Sequence, residues 1–116
     1  MRTVNRVTLL GPLVGETVVD GSGAEPEARF VVLTRAWIAG EDYREERHAV
    51  VARGHLALWI ARHVRRGEVL YVDGRLEPAS ASAPAHVFAR EVVRTAAAAG
   101  RKDRDGTEPS PRGSLM

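Results

Sequence analysis

The chain has 116 residues, the size of one ordinary domain, and its 44% apolar and 28% charged residues exclude both a large multi-site enzyme and a chain disordered by composition. It has no cysteine, which removes disulfides, thiolate metal sites and a cysteine nucleophile together. The formal charge is only +2, yet the cations are 16 arginines and one lysine, and arginine is the cation that forks onto phosphate and stacks on flat rings.

The opening "MRTVNRVTLLGPLVG" has no uninterrupted apolar stretch of the signal-peptide kind, and no run reaches bilayer-spanning length. A cytoplasmic chain with no membrane contact is the expectation. "VNRVTLLG" and "TVV" read as a first strand, interrupted at Gly11 and Pro12 by a bulge or bend. The loop "DGSGAEPEA" follows, and "RFVVLTRAW" over 29 to 37 reads as a second strand that ends in a turn at Ala39 to Asp42. A third strand covers 43 to 53. Glu41, Asp42, Glu45 and Glu46 cluster there as solvated charge.

"HLALWIARHVRR" breaks the twofold alternation: Leu56, Trp59, Ile60 and Val64 recur at spacings of three and four, the stripe of an amphipathic helix. Arg65 and Arg66 fall in its last turn and Gly67 is placed to end it. "EVLYVDGRLE" alternates again, with Leu70, Val72, Gly74 and Leu76 on one face and Val69, Tyr71, Asp73 and Arg75 on the other. After an Ala, Ser and Pro loop at 78 to 85, "HVFAREVVR" supplies a fifth strand, in which Phe88, like Phe30 in the second, is expected in the core. Trp59 is expected there too. From Thr95 the composition turns to Pro, Gly and charge, so the domain is expected over residues 1–95 and a disordered C-terminal tail over 96–116.

Three strands, one helix between strands 3 and 4, then two strands is the order of an all-β, five-stranded OB-fold barrel; an SH3-like barrel lacks the helix and a ferredoxin-like fold needs two. No Gly-rich phosphate loop, nucleophile elbow or pair of metal-binding carboxylates appears, so neither catalysis nor a cofactor is expected. His55 and His63 lie eight apart with no carboxylate between them, which is not a zinc motif, so no metal is expected. His48, among apolar strand residues, reads as a satisfied core or interface histidine.

On particular residues the chain resembles the bacterial single-stranded DNA-binding protein family, an OB-fold group. "VNRVTLLGPL" is similar to its first strand, and "HAVVARGHLALWIARHVRRGEVLYVDGRLE" over 48 to 77 to its third strand, helix and fourth strand in unbroken register. "EVV" at 91 to 93 resembles the last strand, and the likeness runs from residue 4 to 94. The resemblance implies a passive module that coats single-stranded DNA with little sequence preference in replication, recombination or repair, as a homodimer or homotetramer built by pairing first strands. Exposed strand edges would favour that pairing. By the family's pattern one parity of the third strand faces the strand, here Tyr43, Glu45, Arg47, Ala49, Val51 and Arg53. The candidate nucleic-acid-binding residues are Arg2, Arg6, Arg35, Trp37, Tyr43, Arg47, Arg53, His55, Arg66 and Arg75.

The chain departs from the pattern in three places. Arg47 and Arg53 stand where the family usually carries stacking aromatics, which shifts weight from stacking toward Coulombic attraction. The long hairpin between the last two strands is reduced to "PASASAPA", and the end "PSPRGSLM" lacks the acidic tip that recruits replication and repair proteins. The last two departures are shared with a short relative, primosomal replication protein N, which keeps a replication-restart module open as an alternative. A protein-interaction OB module that has lost DNA binding is another.

Overall fold

The computed structural model describes residues 1–40 and 42–96. The tail expected over 96–116 lies, past Ala96, outside the described residues. Five strands and one helix follow in the order β1 (Val7–Asp20), β2 (Glu27–Trp37), β3 (Tyr43–Arg53), α1 (His55–His63), β4 (Val69–Glu77) and β5 (His86–Ala96). The sheet closes as β1-β2-β3-β5-β4, the barrel expected from the element order.

Closure changes the expectation about strand edges. β1 divides its length, Val7–Pro12 pairing with β4 and Leu13–Asp20 with β2, so every strand has a neighbour on each side over part of its length. The bend in β1 falls at Gly15, where φ is 75° and the register to β2 shifts between Val14 and Val18, and not at Gly11 and Pro12. Gly11 serves a different need: a Cβ there would sit 1.9 Å from the Leu33 carbonyl oxygen, so only glycine lets β1 cross β2 this closely.

Inward-facing residues of all five strands meet in one core, with Leu13, Val32, Val50, Leu70 and Val72 fully buried. Each contributes roughly 1.5 to 3 kcal/mol by leaving water. Helix α1 plugs the barrel with Ala57 and Ile60, while Leu56 and Trp59 are partly buried against it. The helix is shorter than its periodicity predicts. Val64 turns extended (φ −91°, ψ 133°) and enters the core, and residues 65 to 68 form a turn in which Glu68 accepts from the Arg65 N–H at 2.8 Å. Arg65 and Arg66 are therefore outside α1, and the cations of its last turn are Arg62 and His63.

The seams differ in extent. β2 and β3 share eleven Cα partner pairs, from Glu27↔Arg53 to Trp37↔Tyr43, whereas β3 and β5, the one parallel seam in the barrel, share two, Val50↔Val87 and Val51↔Phe88. From Arg35 and Glu45 outward no described residue of the β2–β3 hairpin is buried, so it leaves the barrel as an arm.

Candidate nucleic-acid interface

Alternation builds this surface. Outward residues of β2 and β3 alternate with inward ones along each strand, and register pairs outward with outward: Trp37 with Tyr43, Arg35 with Glu45, Leu33 with Arg47, Val31 with Ala49. The line continues across the parallel seam, where Val51 is level with Phe88, and on to Arg75, which is level with Phe88 from the other side. One strip of outward residues therefore runs from the hairpin tip over β3 and β5 onto β4.

At the tip, Trp37 and Tyr43 are 63% and 58% exposed and touch edge to face, ring centroids 5.2 Å apart. The Arg35 guanidinium carbon lies 5.7 Å from the Tyr43 centroid. Two flat rings and a flat cation, none of them buried, give every base a π face to lie on without reading its edges. Arg47 is exposed midway along the strip, and among the described residues Arg35 and Arg47 enter no ion pair. Among the described residues nothing occupies their N–H donors.

Arg53 and Arg75 occupy the other end. Arg53 donates to Glu27 at 3.3 Å and Arg75 is ion-paired with Glu77, while their guanidinium carbons lie 5.1 and 5.8 Å from the Phe88 ring centroid. Phe88 corrects the expectation of a core residue: Val87 and Ala89 are buried and Phe88 lies between them in sequence, so its ring is outward and only half-buried. The cause is a bulge. Ala89 opposes Gly74 and Glu91 opposes Asp73, leaving Arg90 as an extra residue that switches the inward parity from Val87 and Ala89 to Val92. Gly74 permits it, since a Cβ there would lie 2.1 Å from the Phe88 carbonyl oxygen. Val51 is a second correction: it has outward parity but is buried, lying in register between Arg29 of β2 and Phe88 of β5.

The remaining candidates lie off the strip. Arg6 donates through Nε to Asp73 at 2.9 Å, and Arg90 approaches the same carboxylate at 3.5 Å. The Arg6 hydrogen bond holds the Asp73 carboxyl below the usual carboxylate range, against the opposing pull of its partial burial. Arg66 meets Glu16 at 3.5 Å at the exposed surface beyond the Gly15 bend, His55 is the exposed first residue of α1, and Arg2 is exposed ahead of β1. His48 has the opposite parity and is half-buried, its Nε2 hydrogen-bonded to Thr34 Oγ1 at 2.8 Å. Among the described residues no cluster of three His, Asp or Glu is arranged to hold a metal ion, and no helix is long and apolar enough to cross a membrane.

No protein-family model and no curated protein matches the chain. Solved structures do match. The small single-stranded DNA-binding protein from Streptomyces coelicolor superposes with a TM-score of 0.66 at 19% identity, over 80% of this chain and 95% of that one. The SSB domain of a Synechococcus protein gives 0.61 at 18% identity, over 79% and 97%. At these identities the likeness is one of fold: the barrel is an OB fold of the kind these two DNA-binding proteins are built on.

Proposed function

We propose that the chain is a divergent, short member of the bacterial single-stranded DNA-binding group, binding and not catalysing, and that it coats single strands with little sequence preference in replication, recombination or repair. The observation that carries this reading is the outward strip: Trp37 and Tyr43 exposed at its tip, Arg35 and Arg47 behind them with no ion pair among the described residues, and Arg53 and Arg75 at its far end. Stacking supplies affinity that is indifferent to sequence, and arginine contacts to phosphate release counterions. The same strip favours a mechanism in which the bound strand is withheld from reannealing and from nucleases. Residues 1–95 are the binding unit in this reading, and the cytoplasm its place of action.

Assembly as a homodimer or homotetramer belongs to the same proposal. Leu10, Tyr71 and Val93 lie in register on the outer surface of β1, β4 and β5, and Leu10 and Val93 are 60% and 42% exposed, an apolar surface suited to a second copy. Light scattering after size exclusion measures it, and a monomer at micromolar concentration counts against it.

The deciding experiment follows the fluorescence of Trp37, in a Trp59→Phe background, on titration with oligo-dT. Quenching that weakens as salt rises supports coating; no response at low salt supports a protein-interaction module. The short β4–β5 connection, Pro78–Ala85, favours a restart module of the primosomal replication protein N kind as the second reading.

A further inference from the structure

We propose that Phe88, flanked by the guanidinium groups of Arg53 and Arg75, is a second base-stacking subsite, so that one single strand is held at both ends of the strip. The inference rests on the single-strand reading above and adds to it a ligand contact and a length requirement.

Three observations carry it. β5 lies between β3 and β4, and the two arginines come from these two neighbours, so the ring has a cation on each flank. The bulge at Arg90 and the bare Cα of Gly74 turn an aromatic outward at a place where simple alternation would bury it, and bulges that re-aim a side chain gather at binding sites. The ring also continues the strip from Trp37 and Tyr43: the eight residue steps from Tyr43 to Val51, which is level with Phe88, cover about 26 Å at roughly 3.3 Å per step.

The carboxylates of Glu27 and Glu77 do not disable the flanking cations, because a guanidinium carries five donors and can hold a carboxylate and a phosphate together. They do offset the charge of Arg53 and Arg75. The subsite therefore depends on its ring, with the arginines as flat walls that also touch phosphate. A separation of about 26 Å exceeds what a strand of a few stacked nucleotides can bridge at roughly 3.4 Å each, so the two ends act together only on longer strands.

The test compares the full chain with Phe88→Ala on oligo-dT of about 4 and about 16 nucleotides, the range of site sizes for one OB fold. Phe88→Ala is expected to leave the short strand bound at the Trp37 end and to weaken the long strand by about 5- to 150-fold, the loss of one stacked base. Phe88→Trp in a Trp37→Phe, Trp59→Phe background keeps the question open to measurement if the alanine variant folds poorly: its fluorescence is quenched by the long strand if the base lies on this ring. Unchanged long-strand affinity, or no quenching at position 88, overturns the proposal. So does a change in assembly mass at unchanged affinity, which would give Phe88 to a contact between copies. If the wild-type chain binds neither strand, the single-strand reading itself fails and this proposal falls with it.

Discussion

The barrel carries two outer surfaces rich in arginine, and they treat the cation in opposite ways. On the strip from β2 over β3 and β5 onto β4, guanidinium groups lie beside rings or open solvent: Arg35 near Tyr43, Arg53 and Arg75 near Phe88, Arg47 exposed between them. The acids that meet Arg53 and Arg75, Glu27 and Glu77, are themselves partly exposed. On the β1–β4–β5 side guanidinium groups neutralise carboxylates with little exposure, Arg6 and Arg90 on Asp73, and Arg94 on Glu68, where Nη2 and Oε2 are 2.5 Å apart. A carboxylate shielded from water holds its partner, since losing it leaves an uncompensated charge. Arginine count thus says little about where phosphate binds; whether an acid shielded from water holds the cation says more.

The largest expected effect comes from the hinge between the two surfaces. Gly74→Ala drives a methyl into the Phe88 carbonyl and is expected to cost about 3 kcal/mol or more, read as a fall in the thermal or urea midpoint. A variant of unchanged stability would show that β4 and β5 do not approach this closely. Trp37→Ala should weaken oligo-dT by about 1 to 3 kcal/mol while barely moving the unfolding midpoint, because the ring is 63% exposed on an arm with no buried residue among those described. Equal losses of affinity and stability would make it a packing residue.

Replacing Arg47 and Arg53 together by alanine separates Coulombic from stacking grip: the log-log salt slope should fall by roughly 0.7 per lost phosphate contact. Arg6→Ala, on the opposite surface, should leave that slope unchanged, and if it lowers it as much, the contrast between the surfaces is lost. The smallest effect concerns acid. Asp73 is held below its ordinary value by Arg6, so its contribution to stability is present at neutral pH, above the unfolded carboxyl range near about 4, and is lost as pH falls through the lower folded value. Asp73→Asn should flatten this acid limb of the stability curve without changing oligo-dT affinity, and an unchanged pH profile would dismiss the ion pair as a stabiliser.

Much of this was readable in the chain. β4 reads as a strand from its alternating apolar residues although Val72, Asp73 and Gly74 are buried in succession, and the barrel order follows from a single helical stripe set between β3 and β4. Trp37, Tyr43 and Arg35 were legible as separate candidates under the family resemblance, and the register that brings them together is visible only in the structure. Phe88 was not, since taking Val92 as core makes Phe88 core by twofold alternation, and the inserted Arg90 that breaks the count is visible only in the pairing with β4. Val51 failed similarly: its parity faces outward, and only the neighbouring strands bury it. The end of α1 was misplaced because Val64 continues the apolar spacing while its backbone has already turned extended.

The two-pair seam between β3 and β5 has a further consequence. It is the shortest zipper in the barrel, so local breathing should begin there, and both flanking guanidiniums and the outward ring straddle it. A polynucleotide laid across Arg53, Phe88 and Arg75 would act as an external stitch, and the amides of Val51 and Phe88 would then exchange with heavy water more slowly in the complex than in the free protein. Occupancy and rigidity become the same quantity at that spot.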